Sequence, residues 1–284
     1  MKTIHDVEPL RAVLQGWHQD QEGIALVPTM GNLHKGHMSL IKLAQEYAER
    51  VVVSIFVNPT QFGPGEDFED YPRTLANDRR RLSRAGVDLV FVPDVVDVYP
   101  SGQDESTKVI VPGLSDILCG SDRPGHFAGV TSVVARLFNI VQPEVAVFGQ
   151  KDYQQLTILR RMADDLFMPV KIIAGQTYRE PSGLAMSSRN QYLTDAEREA
   201  APGLYRALCD CRERLLAGEL DYAKLEEAGL DELRSLGFRP DYFAIRAARD
   251  LAVPPDENAN LVVLSAARLG TARLIDNVLV ARSG

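Results

Sequence analysis

The sequence is poor in the groups that staple small or secreted proteins. Only three of its 284 residues are cysteine, Cys119, Cys209 and Cys211, and they form no C-x-x-C pair and no His-containing metal spacing. They read as core or incidental thiols of a reducing compartment, and a chain of this length buries a full core without staples. Long apolar runs are lacking as well. No stretch reaches the roughly 18 consecutive apolar residues of a membrane span, and Asp6 and Glu8 fall where a signal peptide needs an unbroken apolar run. A cytoplasmic protein with no membrane partner is expected. Positive charge is in deficit: 31 Lys+Arg against 39 Asp+Glu leave a net charge of −8. That balance excludes a protein whose main business is coating nucleic acid, because neutralising phosphates needs a basic face. It is compatible with a local basic pocket for one small anion. Internal repeats and low-complexity tracts are missing too, so function must lie in local motifs on a globular scaffold.

What is present is a regular alternation. Residues 24–28 (IALVP), 51–57 (VVVSIFV), 88–92 (DLVFV), 145–148 (VAVF) and 170–174 (VKIIA) are short apolar, β-branched runs, the pattern of strands buried on both faces of a parallel sheet. Helical spacing of apolar residues fills 38–49, 130–141 and 153–166. Strands alternating with helices predict right-handed crossovers and an α/β doubly wound, Rossmann-like parallel sheet over residues 1–175. From residue 176 the texture changes to a polar loop. Thr194-Asp-Ala-Glu197 is a capping box; helices are predicted over 195–216 and 221–236, and strands near 241–246, 260–265 and 272–280. Residues 176–284 are therefore expected to form a second, smaller α+β domain.

Four segments carry chemistry. Pro28-Thr-Met-Gly-Asn-Leu-His-Lys-Gly-His37 joins the first long strand to its helix, where open α/β sheets bind ligands. Gly31 and Gly36 have P-loop spacing, but His37-Met38 replaces the Lys-Ser/Thr pair, and no G-x-G-x-x-G is present. Two imidazoles three residues apart at a helix start can donate to a phosphate, and a tight turn with two solvent-facing histidines is an equal alternative. Gly149-Gln150-Lys151-Asp152 follows the strand VAVF, and the chain has only seven lysines against twenty-four arginines; Lys151 suits a phosphate as a point charge, and Gln155 would face the same crevice. Met186-Ser187-Ser188-Arg189-Asn190 offers hydroxyls and a guanidinium in the polar loop. Val57-Asn58-Pro-Thr-Gln61 offers uncharged amides, or is simply a Pro-turn capped by Asn58. Arg123-Pro-Gly-His126 adds a guanidinium and an imidazole with no assigned task.

The order of these segments resembles the nucleotidylyltransferase superfamily of HIGH-type sheets. The strings PTMGNLHKGH, SIFVNPTQF, YPRTL, RPGHFAGV, FGQKDYQQL, GLAMSSRNQYL and RLIDN resemble the pantoate–β-alanine ligase family, densely to about residue 193 and loosely beyond. The resemblance implies a nucleotide- and pantoate-binding domain followed by a lid domain. It places ATP against Met30, Gly31, His34, Gly36 and His37, against Gly149, Gln150, Lys151 and Asp152, and against Tyr178, Met186, Ser187, Ser188 and Arg189. His37, His34, Lys151 and Arg189 are the implied catalytic donors, with pantoate on Gln61 and Gln155 and β-alanine on Gln61. The family usually has an aliphatic residue where this chain has Tyr178. Mg²⁺ on the phosphates and a homodimer are also implied.

The implied activity is ATP-dependent condensation of pantoate with β-alanine through pantoyl adenylate, with release of AMP and pyrophosphate. An ionised carboxylate needs no general base to attack ATP; it needs positioning and donors for the charge that builds on phosphate. The attacking amine must be neutral, although a free aliphatic ammonium titrates near 10, and a mixed anhydride must be shielded from water. The Ser187-Ser188-Arg189 loop and the second domain are the expected lid. Other readings are an HxGH nucleotidylyltransferase whose product retains AMP, a tRNA-charging enzyme, disfavoured by the short acidic chain, and a non-catalytic nucleotide-binding module.

Overall fold

The computed structural model describes residues 1–254 and 259–281. The chain divides into two compact units, residues 1–150 with 158–176, and residues 151–157 with 177–284.

In the first unit, β1 (Lys2–Ile4), β2 (Ile24–Thr29), β3 (Arg50–Ile55), β4 (Leu89–Phe91), β5 (Val145–Gly149) and β6 (Lys171–Gly175) form one sheet in the order β1-β4-β3-β2-β5-β6. Every pairing in it is parallel. The apolar runs become strands because their side chains are covered on both faces: Ile24, Ala25, Leu26 and Val27 are all fully buried, each branched side chain contributing about 1.5–3 kcal/mol. The pattern of apolar runs does not include β1, whose three residues are too short a signal to read as a strand. The helices are α1 (Val7–Gln19), α2 (Lys35–Ala44), α3 (Leu75–Arg84), α4 (Val95–Val98), α5 (Cys119–Asp122), α6 (His126–Val141) and α7 (Tyr153–Asp165), whose residues 153–157 count with the second unit. The expected helix over 38–49 starts three residues earlier and stops at Ala44, where Gln45 turns to donate to the Ala85 carbonyl (2.8 Å).

The strand order reverses at β2, whose successors β3 and β4 lie on one side and β5 on the other. Such a switch point leaves a crevice at the carboxyl ends of the strands. Here β2 and β5 are paired at Ala25↔Val145 and Leu26↔Ala146, and the ladder ends before Pro28, which has no N–H to extend it.

In the second unit, α8 (Asp195–Ala200), α9 (Gly203–Leu216) and α10 (Tyr222–Ser235) accompany an antiparallel sheet of β7 (Arg239–Ala247), β8 (Leu261–Leu269) and β9 (Ala272–Val280) in the order β7-β8-β9. Its core joins Leu204, Leu208 and Leu215 of α9 to Phe243, Val263 and Leu274 of the sheet. The single helix expected over 195–216 is two helices. Pro202 lacks an N–H and its ring would crowd the preceding turn, so α8 ends at Ala200 and a new helix begins at Gly203. No helix among the described residues is long and apolar enough to cross a membrane.

Candidate active site

The loop between β2 and α2 is built by left-handed backbone and one buried carboxylate. Gly31 has φ +82° and Asn32 φ +48°, and a Cβ on Gly31 would lie 3.1 Å from Ile55 and 3.3 Å from Asp78. Asp78, at the start of α3 and 1% exposed, accepts the N–H of Asn32 at 2.9 Å and that of Leu33 at 2.8 Å, together with the Thr74 hydroxyl at 3.0 Å. One turn further along α3, Arg81 donates to the Leu33 carbonyl. The loop is thus gripped through its donors and through its acceptor. Nothing in the polar run LANDRRRL distinguishes Asp78 from an ordinary first-turn acid, and sequence reasoning missed it.

This grip delivers His34 to the N-cap of α2, with extended backbone (φ −129°, ψ 179°), and His37 to its first turn. The His34 N–H donates to His37 Nδ1 at 3.2 Å. An accepting Nδ1 puts the proton of a neutral ring on Nε2, so His37 presents a donor from its far edge. The two rings lie 4.0 Å apart between centroids, tilted by 33°. No acidic side chain occupies the first turn of α2, which leaves the positive end of its dipole for an anion.

The segment after β3 divides residue by residue. Asn58 is 1% exposed and is consumed as a cap: its Oδ1 accepts from Thr60 N (3.4 Å), Thr60 Oγ1 (3.0 Å) and Tyr99 Oη (2.8 Å), while its Nδ2 donates to Gln61 Oε1 (3.1 Å) and Gly129 O (3.2 Å). Burial pushes the Tyr99 hydroxyl above its ordinary pKa, and the phenol stays protonated as the donor. Gln61 is only half-buried, and its Nε2 reaches Met30 Sδ at 3.0 Å. The structure therefore brings Met30 and Gln61 together.

Arg123 and His126 now have a task. His126 Nδ1 donates to the Gln61 carbonyl at 2.7 Å, and Arg123 donates to the same oxygen at 3.3 Å and to His126 Nε2 at 3.0 Å. Arg123 is itself held by Glu66 through two bonds of 2.6 Å. Burial works against the Glu66 carboxylate, but the hydrogen bonds and charge of Arg123 outweigh it and hold that carboxyl below its usual range. The turn Pro59–Gln61 rests on α6 at Gly129, where a Cβ would come within 2.2 Å of the Thr60 carbonyl oxygen.

Gly149 closes β5 and Gln150 opens the short turn Gln150–Asp152. Both belong to the first unit, whereas Lys151, Asp152 and Gln155 belong to the second. The Lys151 carbonyl accepts from Asn277 Nδ2 at 2.9 Å, and Tyr153 Oη donates to the Ala248 carbonyl at 2.7 Å. Gln155 is half-buried between two buried neighbours.

The polar loop is a small hairpin. Arg179 bridges Ala185, and the Met186 N–H donates to the Tyr178 carbonyl at 2.9 Å. Tyr178 is 41% exposed, and its carbonyl serves the hairpin. Ser187 caps the turn Ser188–Tyr192, accepting the Arg189 N–H at 3.3 Å. The expected residues accordingly fall into two groups: Met30, Gly31, His34, Gly36, His37, Gln61, Gly149 and Gln150 in the first unit, and Lys151, Asp152, Gln155, Tyr178, Met186, Ser187, Ser188 and Arg189 in the second. Beyond them, Asp276 and Asn277 were legible only as an unassigned string, RLIDN, with a carboxylate in the apolar phase of a strand.

Among the described residues no three His, Cys, Asp or Glu side chains are grouped to hold a metal ion. All three cysteines are thiols rather than disulfides, and burial pushes the Cys211 thiol up to about 12, which keeps it inert.

The model of the pantoate-beta-alanine ligase family matches residues 2–279. A pantothenate synthetase of Nitrosococcus oceani is 53% identical over 99% of this chain and 98% of its own length, and one of Ectopseudomonas mendocina is 51% identical over the whole of both. The crystal structure of pantothenate synthetase from Thermus thermophilus superposes with a TM-score of 0.92 at 48% identity, covering 99% of this chain and 100% of that one. A pantoate-beta-alanine ligase from Francisella tularensis, complexed with beta-gamma ATP and beta-alanine, superposes at 0.82 with 35% identity, covering 98% and 97%. The chain belongs to the pantoate-beta-alanine ligase family.

Proposed function

We propose that the protein condenses pantoate with β-alanine in the cytoplasm, as a homodimer, through a pantoyl-adenylate intermediate formed from ATP. Family membership supports the overall reaction, and the ligands of the Francisella relative support ATP and β-alanine as substrates. The observation that carries the route is the His34–His37 pair, held with a fixed tautomer at an acid-free helix start on the carboxyl edge of the sheet.

In the first step a pantoate carboxylate oxygen attacks the α-phosphorus; an acyl O–P bond forms and the bond to pyrophosphate breaks. Charge builds on the α-phosphoryl oxygens and on the departing pyrophosphate. His37 Nε2–H, His34, the α2 amides, Lys151 and Arg189 are the donors for it. The half-buried Gln61 amide, fixed at its carbonyl by His126 and Arg123, and Gln155 orient pantoate. Mg²⁺ is proposed to arrive as the counter-ion of the triphosphate.

In the second step the β-alanine amine attacks the acyl carbon, a C–N bond forms, the C–O bond to AMP breaks and the amine gives up a proton. We assign the neutral amine to desolvation, because no glutamate or aspartate except Asp152 stands among the proposed ligands. The rate of aminolysis should then rise from neutral to alkaline pH; a flat profile would argue for a side-chain base instead.

The deciding experiment is pantoate-dependent exchange of labelled pyrophosphate into ATP, followed by addition of β-alanine. Exchange and AMP release are expected. Release of ADP would mean an acyl phosphate, and retention of AMP in the product would mean a nucleotidylyltransferase; either overturns the proposal.

A further inference from the structure

The RLIDN string finds its place on β9, whose core-facing residues Ala272, Leu274, Val278 and Val280 are buried among apolar groups. Asp276 falls in that same alternation and is 4% exposed, and Asn277, on the opposite face, is 3% exposed. A carboxylate and an amide so deep in an apolar strand are costly unless each is bonded.

Both are bonded to segments that the proposed function uses. Asp276 takes Arg179 in a two-point pair, 2.5 Å to Oδ2 and 2.9 Å to Oδ1, and also accepts the Asn277 N–H at 2.8 Å. Arg179 donates further to the Gly183 carbonyl at 3.1 Å and stacks on the Tyr205 ring at 3.5 Å. It thereby fixes the base of the hairpin from which Met186, Ser187, Ser188 and Arg189 project. On the other face, Asn277 Nδ2 donates to the Lys151 carbonyl at 2.9 Å. Adjacent strand residues point to opposite faces, so this pair holds the hairpin on one side and the lysine turn on the other.

We propose that Asp276 and Asn277 are positioning residues that lock the Lys151 turn and the Met186–Arg189 loop into one preassembled piece of the second unit. Lysine carries a flexible four-carbon stem, and its ammonium can be aimed only if its Cα is held; Asn277 supplies that hold through the carbonyl. The inference rests on the reading that Lys151 serves ATP in the proposed reaction.

The test is a double-mutant cycle on pyrophosphate exchange with Asn277→Leu, Asn277→Ala and Lys151→Ala, each checked for folding by its melting temperature. Asn277→Leu should lower kcat of exchange at least tenfold, leave KM for β-alanine in the complete reaction within twofold, and add nothing to the loss of exchange on top of Lys151→Ala. Full additivity of the two effects in a folded protein, or an unchanged kcat in Asn277→Leu, overturns the inference. If Asn277→Leu does not fold, Asn277→Ala is read on the same cycle, and independent effects there overturn it equally. An unchanged kcat in Lys151→Ala sinks instead the role given to Lys151 and leaves Asn277 to be judged by its own kcat. Asp276→Asn, which keeps the shape and loses the charge, should raise KM for ATP through the hairpin; an unchanged KM for ATP overturns that half of the proposal.

Discussion

Asp78 shows how one residue outside any recognised motif sets the geometry of a site. Its carboxylate satisfies two backbone donors and a hydroxyl in a place where water does not reach. Asp78→Ala leaves the Asn32 and Leu33 amides without that acceptor, and at about 1–3 kcal/mol per buried unsatisfied group the loss should be about 3 kcal/mol in all. The midpoint of urea denaturation should fall accordingly, and exchange activity with it, because His34 and His37 begin where this loop ends. Asp78→Asn should recover little, since its amide half turns a donor toward donors. Wild-type stability in either variant would show that the loop is held by something else. The histidines stood out by their spacing as a pair at a helix start, and their role toward ATP was implied only by the family resemblance. Asp78 was not, because a carboxylate that bonds to main-chain N–H groups 45 residues away leaves no local mark in the sequence.

At the level of elements, the turn Pro59–Gln61 and helix α6 are a matched pair. Gly129 lets the turn sit directly on the helix, so Gly129→Ala should push it away and disturb Gln61. KM for pantoate should increase roughly tenfold or more, the scale expected when a substrate-positioning group moves by an ångström; an unchanged KM would separate Gln61 from pantoate. The same turn is braced by Glu66 and Arg123. Because the Glu66 carboxyl is held below its unfolded value, the stability it contributes is complete above the unfolded pKa of about 4.3 and is lost as the pH falls through the lower folded value. Glu66→Gln should therefore cost about 1–2 kcal/mol at pH 7 and progressively less below about pH 4. Melting temperatures of both proteins between pH 7 and 3 test this, and parallel curves would contradict it. Strand β3 and helix α6 followed from periodicity, whereas α1, α3, α4 and α5 lay outside the periodic stretches. The joins between elements did not follow either: Pro202 breaks a helical pattern that apolar spacing alone runs straight through, and the three residues of β1 acquire strand character from pairing with β4.

For the whole molecule, the proposed homodimer predicts a mass by light scattering twice the 31.4 kDa of one chain; a mass of one chain across micromolar concentrations would exclude it. Composition already confined the protein to an acidic globular class, and the alternation of buried strands with amphipathic helices dictated a parallel sheet. Those properties depend on local periods and on net charge, which a linear sequence carries in full. The order of strands about the switch point, the use of Arg123 and His126 to hold a carbonyl, and the grip of Asp276 and Asn277 on Arg179 and Lys151 were decided only by the tertiary structure. Each joins residues tens to more than a hundred positions apart, and the free energy that selects such partners, burial of a polar group together with its satisfied hydrogen bonds, exists only once the chain has closed around them.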